Sequence, residues 1–307
     1  MNAPFVPEIP LPQRAADAWL TQSNALVTAS YAPDLERCRL LCETVDRHVT
    51  GFEKHYLLVE GRDVPLFRQL ESSRRVVIDE RDILPNWLHA LDDPLSGFRR
   101  RVWLSWRIPP LRGWHVQQLR RIGIAGLAGE DALIFCDSDV MFLKPFDCSR
   151  FWRGGRLRLL RHDNALDRPQ FSDQHQWSIN AGKLLGIRQP VMSRHDYIST
   201  VIAWRRQTVK EMCDHIEAVS GRDWVSAVAS KRKFSECMIY GRYVDEVRAG
   251  EGHFTGDTEY CQVQWLGSAM TEEDLRDFVT RMEPEQVAIC LQSFIGTDIG
   301  RLRRLAA

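Results

Sequence analysis

Two carboxylates stand one residue apart at the end of an apolar run, Ala132-Leu133-Ile134-Phe135-Cys136-Asp137-Ser138-Asp139-Val140. Such a run reads as a buried strand, and α/β sheets carry their chemistry at the carboxyl ends of their strands. Carboxylates this close repel unless a cation lies between them or one takes a proton, so the Asp-x-Asp spacing points to a divalent ion on the oxygens of Asp137 and Asp139. The same spacing occurs in solvated turns; the apolar residues before it and its mid-chain position favour a site.

Delivering those carboxylates requires a sheet, and the rest of the chain supplies its parts. Residues 25–30, 55–59 and 75–78 are short continuous apolar runs, each read as a strand. After the first, Asp34 is set to cap a helix whose Leu35, Cys38, Leu41, Cys42 and Val45 share one face. Trp114, Leu119, Ile122, Ala125 and Leu127 mark an amphipathic helix over 114–129 that feeds the acidic strand. Continuous rather than alternating runs, interleaved with helices, predict an α/β fold with a mainly parallel sheet covered on both faces. Residues 156–161 alternate and predict a strand nearer the sheet edge, 197–220 a long helix stopped by Gly221, Thr271 and Asp274 a capping box, and 286–291 a last strand. We read 1–307 as a single domain, with an arm over 1–23 and two halves over 24–146 and 147–307.

Lys plus Arg and Asp plus Glu both number 41, so no global charge draws polyanions and nucleic acid is not the expected partner. No basic start leads into an apolar segment and no run of ~18 apolar residues occurs, which sets a cytoplasmic location as the expectation. The 8 cysteines are scattered, and Cys38 and Cys42, one helical turn apart, have no second Cys/His cluster with which to bind zinc. Arg301, Arg303 and Arg304 form a short basic tail, read either as solvated or as a peripheral contact with an acidic membrane or partner.

Together with the helix before it, Gly113-Trp114-His115-Val116-Gln117-Gln118-Leu119-Arg120-Arg121, the triplet resembles the GT-A glycosyltransferases. More narrowly it is similar to a bacterial, largely uncharacterised family of GT-A-like proteins, and more distantly to the glycogenin and lipopolysaccharide galactosyltransferase group. The resemblance spans residues 24–265 in order of elements; at motif level it rests on the triplet and that helix. It implies a Rossmann-like GT-A sheet, with 24–146 the nucleotide-binding half and 147–307 the acceptor half. It further implies Mn2+ or Mg2+ on Asp137 and Asp139, with Ser138 between them, against the diphosphate of a nucleotide-sugar. The sugar would pass to a glycan or lipid-linked acceptor during synthesis of a surface polysaccharide.

Residue by residue, the resemblance puts Thr28, Ala29, Ser30 and Tyr31 at the base and ribose. It puts Arg121, with Gln118 on the same helix and Arg120 as the alternative, at the phosphates. His253 matches a His-x-x-Gly segment that supplies a third metal ligand, but Asp257-Thr258-Glu259-Tyr260 replaces the Lys-Pro-Trp that normally comes next. Asn180 matches an Asn-x-Gly loop lining the donor sugar, and Glu236 stands where an inverting enzyme keeps its general base. Trp177, Trp224 and Trp265 offer faces on which sugar rings stack. Two other readings stay open. One is a non-catalytic module that binds a nucleotide-sugar or glycan; the other is a haloacid-dehalogenase-like phosphatase in which Asp137 attacks phosphorus and Asp139 is the acid/base.

Overall fold

A computed structural model describes residues 22–306 apart from Arg99 and Arg168; residues 1–21 of the expected arm lie outside the described residues. The chain runs through β1 (Asn24–Ala29), α1 (Leu35–His48), β2 (Lys54–Val59) and β3 (Arg75–Asp79). Three short strands come next, β4 (His89–Asp92), β5 (Arg101–Leu104) and β6 (Leu111–Arg112), then α2 (Gly113–Gly123), β7 (Ala132–Cys136) and β8 (Val140–Phe142). The second half contributes β9 (Arg156–Leu160), α3 (Ser172–Leu184), β10 (Val201–Arg205), α4 (Arg206–Ser220) and α5 (Glu236–Arg242). It ends with β11 (His253–Gly256), β12 (Cys261–Gln264), α6 (Glu272–Thr280), β13 (Ala288–Leu291) and α7 (Ile299–Ala306).

The central sheet has the order β10-β7-β1-β2-β3. Its first four strands in chain order are mutually parallel, and β10 closes it antiparallel to β7, with Val201 opposite Cys136. Both faces are covered, which is why its strands read as unbroken apolar runs. Val27, Leu133, Phe135 and Trp204 face a core that includes Leu119, Met212 and Tyr240, while Leu26, Ile134 and Ala203 face Phe142, Phe146 and Phe151. The result is a mixed α/β fold with a mainly parallel sheet flanked by helices.

Three expectations need correction. Residues 201–205 form β10 rather than the start of a helix, and α4 begins only at Arg206. Val201, Ile202, Ala203 and Trp204 are all buried, and a short apolar run fits strand or helix period equally well until a partner strand takes it. Strand β9 is not an exposed edge, because β11 pairs along it in parallel and Arg158 is buried with its guanidinium 4.1 Å from the Tyr260 ring. The tail arginines of α7 are not simply solvated but hold surface partners on the protein: Arg303 bridges Glu36 and Glu43, the exposed Arg304 pairs with Glu272, and Arg301 donates to the Met270 carbonyl. The Thr271–Asp274 capping box is present as read. No described helix is long and apolar enough to cross a membrane.

Candidate functional site

The chain leaves β1 towards β2 and β3 on one side and returns to β7 on the other, so the strand order reverses between β1 and β7. Open α/β sheets bind ligands at this kind of reversal. Asp137 is the first residue past β7, and its N–H donates to the Thr200 carbonyl at 3.4 Å. A tight turn, Val140 N–H to Asp137 carbonyl at 3.0 Å, carries Asp139 round to β8, which pairs with β13. Asp139 is thereby brought against the segment after β13: its Oδ2 accepts from the Ser293 N–H at 3.0 Å and its Oδ1 from the Cys290 thiol at 3.2 Å.

A third carboxylate lies close by, at a residue that the sequence reads as a helix cap ahead of a ribose ligand. Asp34 makes no side-chain cap to α1; its Oδ2 accepts from the Ser138 hydroxyl at 3.4 Å instead. Burial raises the Asp34 carboxyl pKa, the charge of Asp139 raises it further, and hydrogen bonds from Ser293 and Ser138 together with the Arg37 charge pull it back. The Tyr31 phenol is likewise raised by burial and by both aspartates, and its ring is half exposed. Tyr31, Asp34, Ser138, Asp139 and Ser293 therefore share one space. Asp34 lies five residues past the end of β1, a strand-end signal that its helix-cap residue type concealed.

Asp137 is pushed up to about 7, chiefly by burial; Arg121 opposes that shift, and the charges of Asp139 and Glu236 reinforce it. Arg121 is buried, with Nη1 3.5 Å from Asp137 and 3.0 Å from Glu236, and its guanidinium carbon sits 4.7 Å from the Phe135 ring. Gln118 accepts the Glu236 N–H at 3.0 Å, closing the start of α5. Neighbouring Arg120 is equally enclosed, ion-paired with Glu80 and 3.5 Å from the Ser30 carbonyl, while the Trp103 indole donates to Glu80 at 3.0 Å. Asp79, the last residue of β3, pairs with Arg81, and it is Glu80 that reaches inward.

Several expected placements change. Thr28 is buried with its hydroxyl 3.0 Å from His55 Nε2, and Ala29 is core. Ser30 is buried beneath Arg120, so of residues 28–31 only Tyr31 reaches the opening. Every residue of β1 is buried, and only positions beyond the strand end can meet a ligand. Arg121 and Gln118 both engage Glu236, while Arg121 Nε and Nη2 are buried without a hydrogen-bond partner. Asn180 lies in α3, not a loop, its amide held between Gln176 and the Lys233 carbonyl. Trp177 packs 5.7 Å from the Trp114 ring.

His253 is far from the carboxylates. Its Nδ1–H donates to the Glu251 carbonyl at 2.8 Å, and its Nε2 lies 2.8 Å from the Tyr240 hydroxyl, which also accepts from the Arg205 N–H. Arg205 pairs with Ala132, at the opposite end of β7 from Asp137, and five strand residues separate those ends by roughly 16 Å. Both ring nitrogens are engaged there. Among the described residues no group of three or more His, Cys, Asp or Glu side chains is arranged to hold a metal ion, and the cysteines are free.

A cavity of about 660 Å³ lies at the ends of β2 and β3, walled by Glu60, Arg62, Glu80, Arg81, Arg101 and Trp103. A second, of about 810 Å³, adjoins His253 and the Arg153–Arg156 turn, away from the aspartates.

Fold and site together define a mixed α/β protein with an acidic strand-end site at the reversal point of a mainly parallel sheet. A family of unknown function, DUF6492, matches residues 20–299, and the chain belongs to that family. No curated protein matches it.

Proposed function

We propose that the protein is a metal-dependent glycosyltransferase of GT-A type, moving a hexose from a nucleotide-sugar to a hydroxyl of a glycan or lipid-linked acceptor. The observation that carries this reading is the pair Asp137 and Asp139 just past the carboxyl end of β7, with Ser138 between them hydrogen-bonded to Asp34, and the Glu80–Trp103 cavity at the ends of β2 and β3. Carboxylate oxygens suit Mn2+ or Mg2+, which commonly take one or two protein carboxylates and complete their shell with phosphate and water. Burial chiefly raises the Asp137 pKa, and the charges of Asp139 and Glu236 add to it, so a cation bound there would relieve a repulsion that Arg121 only partly offsets. Asp137 and Asp139 would hold the ion, which when bound offsets the negative charge of a departing nucleotide.

The chain's own residues supply the rest. Ser293 and Cys290 orient Asp139, and Arg121 fixes Asp137 relative to α5. The half-exposed Tyr31 ring offers a stacking face to a base. Glu236 acts here as a positioning residue, since a carboxylate buried against Arg121 at 3.0 Å is poorly placed to take a proton from an acceptor.

The test is a thermal-shift series with UDP-, GDP-, CMP- and dTDP-sugars, each with Mn2+ or with EDTA, on the wild type and on Asp139→Ala. Ligand bound only by the native state raises the melting temperature. A shift that needs metal, selects one nucleotide and disappears in the variant is expected; an unchanged shift or full turnover in Asp139→Ala overturns the assignment. A second reading, nucleotide-sugar binding without transfer, is favoured by Glu236, whose carboxylate is tied to Arg121 at 3.0 Å and is not free to act as a base. Release of sugar from the bound donor separates the two. Absence of any donor shift, with hydrolysis of a phosphomonoester, would favour the phosphatase.

A further inference from the structure

We propose that the outer face of the β4-β5-β6 sheet docks on an anionic lipid surface. Leu91 stands opposite Val102 and His89 opposite Leu104, so these four side chains share one face, while Ala90 and Trp103 share the other. The second face is turned inward, where Trp103 is buried and donates to Glu80. On the first, Val102 is buried, while Leu91 and Leu104 are uncovered. Trp106, two residues beyond Leu104, is fully exposed, and the β4-β5 turn presents Leu95 at 93% and Phe98 at 68% exposure. Exposed large apolar side chains thus recur from the β4-β5 turn to just past the far end of β5. Monomeric soluble surfaces seldom carry such a grouping unless something covers it.

Charge identifies what covers it. Residues 89–112 hold five arginines against two aspartates. Both aspartates are already engaged, Asp92 by Arg62 and Arg101 and the buried Asp93 by Arg112, so the face offers no free carboxylate to repel an anionic partner. Arg100 is exposed and has no ion pair among the described residues; Arg107, exposed beside Trp106, lies 3.8 Å from Asp223. Leu, Phe and Trp side chains interleaved with arginine are the pattern of an interfacial anchor, in which apolar groups enter the headgroup region and guanidinium groups meet lipid phosphates. The tail arginines, by contrast, already have carboxylate partners on the protein. Because Trp103 and Arg101 also wall the cavity at the ends of β2 and β3, docking would bring that cavity to the bilayer, whatever the cavity binds.

The experiment is flotation of the full chain with phosphatidylcholine vesicles, with and without phosphatidylglycerol, at low and high salt. Salt-sensitive flotation with the anionic vesicles is expected. The variant Leu95→Ser/Phe98→Ser/Trp106→Ser should float about tenfold less, a difference equivalent to ~1.4 kcal/mol, while melting as the wild type does. Failure of the wild type to float, or flotation that survives the triple substitution, overturns the proposal. A dimer seen by light scattering and dissolved by the same substitutions would assign the face to a second copy of the chain instead.

Discussion

Arg121 and Glu236 meet at 3.0 Å, and both are buried. The pair ties α2, which leads into β7, to the start of α5 in the second half, and Asp137 rests 3.5 Å from the same Arg121 nitrogen. A single guanidinium thus sets the carboxylate geometry at the strand end from behind.

Removing that guanidinium should be strongly destabilising. Arg121→Met leaves Glu236 and Asp137 buried without a counter-charge, and breaking such a pair costs about 3–5 kcal/mol. Adding Glu236→Leu should recover much of the loss, since an apolar replacement removes the orphaned carboxylate. Urea denaturation of the two single variants and the double variant measures the coupling; additive losses would show the pair to be independent.

Asp137 predicts a pH dependence with a definite sign. Its folded pKa, about 7, lies above the ordinary carboxylate value, so the native state keeps a proton that the unfolded chain has already released. Its contribution to stability is intact below ~4, the unfolded value, and is lost as pH rises to about 7. Asp137→Asn, which does not titrate, should therefore raise the melting temperature more at about pH 8 than at about pH 5. Equal gains at both would mean that Asp137 ionises normally.

The placement of His253 separates stability from any metal role. His253→Gln should weaken the fold through the Tyr240–His253–Glu251 hydrogen bonds and leave any Mn2+-dependent nucleotide shift unchanged. Loss of that shift in a variant with a near-normal melting temperature would restore the histidine to the metal.

Gly241 is required by contact. A Cβ there would overlap the ring of the buried Tyr197, whose hydroxyl is held by Asp245 at 2.7 Å, whereas a Cβ on Gly113 would meet nothing. Gly241→Ala should destabilise by roughly 1–3 kcal/mol through overpacking, and Gly113→Ala should be close to neutral. Paired denaturation curves check the contrast.

The strands of the sheet and the Asp-x-Asp at its edge are legible in the sequence because burial on both faces leaves a direct trace, an unbroken apolar run closed by polar residues. The hidden features depend on partners distant in the chain. The run at 201–204 suits helix and strand alike until its pairing with β7 decides between them. Arg120 and Arg121 look interchangeable in sequence, yet they face Glu80 and Glu236 on different sides of α2. Asp34 carries the signature of a helix cap, and nothing local reveals that Ser138, 104 positions on, draws its carboxylate away. Ser293 contributes a backbone N–H, a group that residue type cannot advertise.

The position of β7 also governs how the molecule can be made. Asn24 pairs with Ala132 on one side of it and Val201 with Cys136 on the other, so both neighbours of the acidic strand are remote in the chain. Contacts of such long sequence separation form slowly, because large loops must close before any pairing compensates for the lost chain entropy. During synthesis β7 emerges well before Val201–Arg205 and must wait beside β1 with one apolar edge bare, a template for pairing with another nascent chain. The antiparallel strand β10 is therefore a cap as well as a member of the sheet. A chain that stops short of it should aggregate instead of folding into a smaller version of the site.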